Sequence, residues 1–183
     1  MTAPPAREEW LIVVPRLPSD PSRYRVAVWR ELRRVGAVQL GQGIWALPVD
    51  ERSERIIDSV AALVPDDVGT ILWLDASPRN GATGEQVRAA FDQARCAEWA
   101  EFISECAKCN AELQREIDQS KFTLAELDEE EQNVERLRRW HRELRVRDRF
   151  SSIDPTEPAG HLAECEALLE RFTALVYQTV GIT

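Results

Sequence analysis

Two hydrophobic periods run through this sequence and change over at Ser77–Gly84, a stretch of turn formers (Ser-Pro-Arg-Asn-Gly-Ala-Thr-Gly). A fold built on one period cannot accommodate both. Before the changeover the apolar residues come in short, β-branched runs. Trp10 to Leu17 (Trp-Leu-Ile-Val-Val-Pro-Arg-Leu) reads as a buried strand that stops at its prolines. Asp20-Pro21 fits an N-cap followed by the first helical position, opening a helix to about Val35 that Gly36 ends. Val38–Leu40 and Gly43–Pro48 read as strands joined by the Gly41-Gln42-Gly43 turn. Glu51–Val64 reads as a helix with Ile56, Ile57, Val60 and Leu63 on one face and Pro65 as its stop, and Thr70–Ala76 as a fourth strand. This order of strand, helix, strand, strand, helix, strand is the split-βαβ ferredoxin-like pattern, an antiparallel sheet with two helices on one face.

Beyond Gly84 the spacing becomes helical. Val87, Phe91, Ala94, Trp99, Phe102, Cys106, Cys109, Leu113 and Ile117 recur at three- to five-residue steps, predicting one long helix to about Gln119. Leu124, Leu127, Val134, Leu137, His141 and Leu144 predict a second helix, and Leu162, Cys165, Leu169, Phe172 and Val176 a third, separated from the second by the proline-bearing stretch Ser151–Gly160. Antiparallel packing would bury these stripes together. The expected class is therefore α+β, with a ferredoxin-like βαββαβ domain over residues 10–80 followed by a long-helix antiparallel bundle over 81–183. Residues 1–9 have two prolines and no apolar signal-type run, and read as a flexible tail.

At 183 residues, with 44% hydrophobic content and six Trp, the chain can bury a sizeable core. No apolar run approaches the roughly 18 to 20 residues that span a bilayer, so no membrane partner and a cytoplasmic location are expected. Cys96, Cys106, Cys109 and Cys165 lie in helical stretches, which predicts reduced thiols acting as small buried hydrophobes with one close pair, Cys106-x-x-Cys109. The net charge of −9 argues against a protein that coats nucleic acid indiscriminately. Where the charges sit is more informative than their sum.

The first helix is locally basic. With Val28 as origin of a helical wheel, Tyr24, Val28, Leu32 and Val35 lie within about 40°, while Arg23, Arg30, Arg33 and Arg34 occupy a sector from about 140° to about 240°. Arg25 lies between the two faces, beside Trp29. From Ser22 to Gly36 there are five arginines and one acid, Glu31. Two readings stand: a solvated face that pairs with acids elsewhere in the chain, or a surface for phosphates or oxyanions, with Arg23, Arg25, Arg30, Arg33 and Arg34 as its residues. A second basic cluster, Arg136 to Arg149, holds seven arginines and follows the acidic block Asp128–Glu131. There Arg138, Arg139, Arg142 and Arg145 form a secondary patch, read first as charges laced by i,i+4 pairing and second as nucleic-acid contacts.

Neither metal nor catalytic chemistry is indicated. One Cys-x-x-Cys on a helix and two isolated histidines, His141 and His161, do not make a zinc site. No nucleophile elbow, P-loop or dinucleotide-binding glycine motif occurs, and Asp20 and Asp75 read as a cap and a turn residue. No cofactor, no metal and no catalytic residue is expected.

Several of these stretches together resemble a known family. Trp10-Leu-Ile-Val-Val with Leu17-Pro18, the segment from Tyr24 to Ala37 with Arg25-x4-Arg30, Gly43-Ile-Trp-Ala-Leu-Pro48, and Leu137-Arg-Arg-Trp-His-Arg-Glu-Leu-Arg-Val-Arg-Asp-Arg-Phe150 are similar to the N-terminal domain of the chromate-resistance regulator family ChrB. The resemblance covers nearly the whole chain. It implies a chromate-responsive transcriptional regulator, a first domain similar to the ferredoxin-like module of PaaX-type repressors, promoter DNA as partner and a homodimer, with Arg25 and Arg30 above all as DNA-contacting residues. Full-length members carry a further C-terminal domain associated with chromate sensing. This chain ends at Thr183 without it, which leaves open whether it senses chromate on its own. The related CRISPR-associated ferredoxin-fold endonucleases place an aspartate at the end of the first strand; here Val14-Pro15-Arg16-Leu17 offers none before Asp20. Two rival functions remain, an accessory subunit that docks a partner through its charged helices, and, more distantly, a metal-dependent nuclease.

Overall fold

The computed structural model describes residues 9–181. The tail expected over 1–9 lies, apart from Glu9, outside the described residues. Nine elements follow in chain order: β1 (Trp10–Arg16), α1 (Arg23–Arg34), β2 (Val38–Gly41), β3 (Ile44–Pro48), α2 (Ser53–Ala61), β4 (Thr70–Ala76), α3 (Gly81–Asp118), α4 (Leu124–Arg147) and α5 (Thr156–Val180). The class is α+β, with a four-stranded sheet unit followed by long helices. Two compact units divide at Ala94/Arg95, inside α3, so the first turns of that helix belong with the sheet.

In the first unit the strands lie in the order β2-β3-β1-β4 with antiparallel neighbours, the ferredoxin-like arrangement. Period-two alternation decides which residues face the helices. Val13 stands opposite Trp45 on one side and Trp73 on the other, and Leu11 opposite Leu47. These pack with Val28 and Leu32 of α1 and Ile56 and Val60 of α2 into one core. On the opposite face Trp10 is buried and meets the Phe91 ring of α3 at 6.1 Å between centroids, while Leu72 and Leu74 of β4 stay exposed.

α1 starts at Arg23, later than the Asp20-Pro21 motif suggests. Ser22 is the residue before the helix, its backbone already right-handed, and its carbonyl accepts from Val26 N–H. The other end is as expected. Ala37 N–H donates to Leu32 O and Gly36 N–H to Arg33 O, with Gly36 at φ +88°. That is a Schellman closure, which a residue with a Cβ would strain. α2 is shorter than the Glu51–Val64 span. Asp50 Oδ1 accepts from Arg52 N–H at 2.8 Å before its start, and after Ala61 the chain continues in tighter turns, Leu63 N–H to Val60 O and Val64 N–H to Ala61 O.

The second unit buries one continuous core from α3, α4 and α5, including Trp99, Phe102, Leu113, Leu137 and Phe172. Its helices are antiparallel: Trp99, early in the α3 part, bonds Asp148 at the end of α4, and Phe122, before α4, packs on Phe172 late in α5. α3 opens on Asn80, whose Oδ1 accepts from Thr83 N–H, and α4 on Thr123, whose Oγ1 accepts from Glu126 N–H. The cysteines divide. Cys106, Cys109 and Cys165 are buried, but Cys96 is exposed, because its position on α3 faces away from the stripe. Three thiols, and not one pair, meet in the core. Cys165 Sγ lies 3.4 Å from Cys106 O, and Cys165 also hydrogen-bonds Cys109. No helix among the described residues is long and apolar enough to cross a membrane.

Candidate nucleic-acid interface

The exposed side of α1 follows from its core side. Val28 and Leu32 are buried against the sheet, so the positions facing away from them, Arg23, Val26, Arg30, Arg33 and Arg34, are exposed together with Trp29. Trp29 and Val26 are 46% and 41% exposed, and their apolar surface stands in water among cations. That interleaving of an aromatic side chain with arginines suits a backbone-binding nucleic-acid surface. It was only half visible in the sequence, where Trp29 reads as a neighbour of Arg25 without a declared direction.

Each of the five arginines has its own circumstance. Arg34 is committed to Glu31, one turn back, with Nε and Nη2 donating at 2.7 and 2.6 Å to the two carboxylate oxygens. This fork holds the Glu31 carboxyl below the usual range, with help from the Ser59 hydroxyl against some desolvation. Arg23 donates to the Tyr24 hydroxyl at 2.7 Å and lies over its ring. Arg33 stacks 5.1 Å from the Trp29 centroid, a cation–π contact that leaves its N–H edge available. Arg25 donates to the Ser19 carbonyl at 3.0 Å and so ties down the loop between β1 and α1. Arg30 is exposed and has no partner among the described residues. Of the five, only Arg34 takes a carboxylate among the described residues, so pairing with distant described acids does not account for this face.

The α4 patch belongs to the other compact unit and is built differently. Arg138 bridges Glu166 of α5 at 2.6 Å and Glu135 at 3.5 Å, and Arg142 reaches the same Glu135 at 3.4 Å. Both neighbours draw Glu135 below its usual range, Arg142 the more. Arg139 and Arg145 are exposed with no partner among the described residues. Half of the patch is thus laced to acids, though partly across helices, and half is open.

Among the described residues neither Asp20 nor Asp75 belongs to a close group of three potential metal ligands. β1 ends at Arg16, without the acidic residue a ferredoxin-type nuclease would need there.

The family model for Protein ChrB, N-terminal, matches residues 25–182. The chain belongs to this family. A curated relative, Protein ChrB of Cupriavidus metallidurans, is 28% identical over 115 residues. That match covers 62% of this chain and 35% of the relative, so the chain spans about a third of that protein's length. No solved structure matches the chain. The ChrB match takes in all of α1 but its first two residues, and all of α3, α4 and α5.

Proposed function

We propose that this ChrB-family chain is a non-catalytic, DNA-associated part of a regulator of chromate or related oxyanion resistance, and that the outer face of α1 meets the phosphates of its operon's promoter. The observation that carries the reading is the α1 face itself. It presents exposed arginines around an exposed tryptophan, and one of them, Arg30, is not engaged by any described residue. A short helix lying on a sheet meets the duplex backbone more readily than it enters a groove, so these contacts position the protein and do not read bases. Family membership supports the chromate context.

Binding of the full chain to the promoter upstream of its own operon, followed by fluorescence polarisation at several salt concentrations, tests this. Arg30→Ala should weaken binding to all sequences alike and lower the log–log salt slope by about one unit. Arg34→Ala should do less, because its guanidinium is already held by Glu31. Equal binding and slope in wild type and Arg30→Ala would remove DNA from the reading. The accessory-subunit function would then lead, supported by the open Arg139 and Arg145 of α4 and by Leu74, which is 53% exposed on β4. The same DNA, labelled and incubated with divalent metal, should remain uncut.

A further inference from the structure

Beside the turn between α3 and α4 the second unit gathers carboxylates that lie far apart in the sequence. Glu112 and Glu116 sit one turn apart on α3 and Glu130 on α4, and one oxygen of each lies within 4.8 Å of the other two. Glu116 and Glu130 are each only 2% exposed. They line a cavity of about 450 Å³ whose wall carries six glutamates and four basic residues, a surplus of two negative charges when every carboxyl is ionised.

Two of the basic residues pair away from the three carboxylates, and two touch the cluster from its rim. Lys108 and Arg136 pair with Glu105, Arg115 pairs with Glu112, and Lys121 stands 3.8 Å from Glu116 Oε1 and 3.7 Å from Glu126 Oε1. Oε2 of Glu116 and Oε2 of Glu130 are left, both buried, neither with a hydrogen-bond partner among the described residues. An acceptor buried without a donor costs about 1–3 kcal/mol, and here two occur together inside a cluster of like charge. Burial, reinforced by neighbouring glutamates, raises both carboxyls above the usual range; Asn133, which bonds Glu130, opposes this only in part.

We propose that Glu112, Glu116 and Glu130 form a binding site for a hard divalent cation, held by one oxygen from each. Metal–oxygen bonds of about 2.1 Å in octahedral geometry put ligand atoms roughly 3.0 to 4.2 Å apart, and bonds of about 2.4 Å put them roughly 3.4 to 4.8 Å apart. The 4.8 Å bound on the observed cluster matches the span of the larger shell, and the shorter bonds need the carboxylates to draw closer. An all-carboxylate set selects magnesium, manganese or calcium over softer metals. Cys109 lines the same cavity but is not a ligand, because its hydrogen bond to Cys165 and its burial hold the thiol protonated. A dication would meet the two orphaned oxygens and cancel the surplus charge in one step. Neither cysteine nor histidine spacing points to it. The available signal was the pair of glutamate i,i+4 repeats flanking the turn, Glu112/Glu116 and Glu126/Glu130, and only packing shows which of them turn inward.

The test uses the full chain stripped with chelator and titrated with Mn²⁺, followed by the loss of the free-ion electron paramagnetic resonance signal, with Mg²⁺ and Ca²⁺ as competitors. One Mn²⁺ per chain is expected, with a Kd at or below the order of 100 µM. Glu130→Gln and Glu116→Gln should each weaken binding about tenfold or more, and the exposed Glu101→Gln on α3 should bind as wild type does. The glutamine variants remove charge and keep shape, so a melt in chelator should show them at least as stable as wild type. If one fails to fold, Glu112→Gln serves in its place. Absence of saturable binding below about 1 mM, or equal affinity in wild type and the glutamine variants, overturns the site.

Discussion

Trp99 is fixed at both ends of its ring system. Its apolar edge meets Phe102 at 5.9 Å and His141 at 5.6 Å between centroids, and its Nε1 donates to Asp148 Oδ2 at 2.9 Å. Asp148 also accepts from the Ser152 N–H and hydroxyl, so one carboxylate joins α3 to the turn that follows α4. Trp99→Ala removes a 97%-buried indole and should cost about 3 to 5 kcal/mol, read as a lowered midpoint in denaturant; an unchanged midpoint would contradict the packing. The position of Trp99 on a core stripe is legible in the sequence, because a period of 3.6 fixes which residues share a face. Its link to Asp148 is not, since it joins residues 49 apart. The arginines of α1 divide in the same way. The wheel places Arg23, Arg30, Arg33 and Arg34 away from the core and Arg25 between the faces, but the partners that distinguish Arg34 and Arg25 from Arg30 depend on rotamers and on the loop at Ser19.

Element ends carry the next level of specification. α4 begins at Thr123-Leu-Ala-Glu126, a capping-box sequence in which Thr123 Oγ1 accepts from Glu126 N–H at 3.2 Å. Thr123→Ala should lower stability by about 1 kcal/mol, or a few degrees of Tm for a chain of this size, and Thr123→Ser should restore most of it. A melt in which Ala and Thr are equal would show that the cap does not hold the turn. Strand and helix order, the sheet's buried face and the bundle's three stripes all follow from periodicity and from Gly36, Pro65 and the Ser77–Gly84 break. The sequence motif at Asp20-Pro21 misplaces the start of α1, because cap propensity competes with a turn that is already helical at Ser22. The break at Ser77–Gly84 likewise marks where helix begins and not where compactness divides, since Phe91 of α3 still packs against Trp10 of the sheet. The carboxylate cluster was illegible for a related reason. A run such as Asp128–Glu131 looks like solvated surface until the packing of Leu127 and Val134 turns Glu130 inward.

For the molecule as a whole, one contribution to the pH dependence of stability comes from a histidine whose charged form the fold disfavours. His141 lies against Trp99 and Phe102, and its Nε2 is buried with no hydrogen-bond partner among the described residues. Burial lowers its pKa from the ordinary value of 6.5, repulsion from Arg145 adds to this, and attraction to Glu166 opposes it. The unfolded chain therefore takes up a proton near pH 6.5 that the folded chain refuses. Stability rises with pH wherever the unfolded state binds more protons, so the His141 contribution is fully present above about pH 6.5 and is lost as pH falls from there toward the depressed folded value. Glu116 and Glu130 act with the opposite sign. Their carboxyls are raised in the fold, Glu130 to about 7, so acid relieves a penalty there. Wild type alone would show only the sum. A comparison with His141→Phe isolates the imidazole, because the carboxylates are common to both proteins and the ring contacts are kept. Chemical denaturation of both in chelator, from about pH 7.5 to about pH 5, should show the variant gaining on wild type as the solution is acidified, with the divergence beginning near pH 6.5. Two stability curves that stay parallel across that range would mean that His141 titrates in the fold as it does in water, and that the aromatic enclosure at the centre of the second unit is open to solvent.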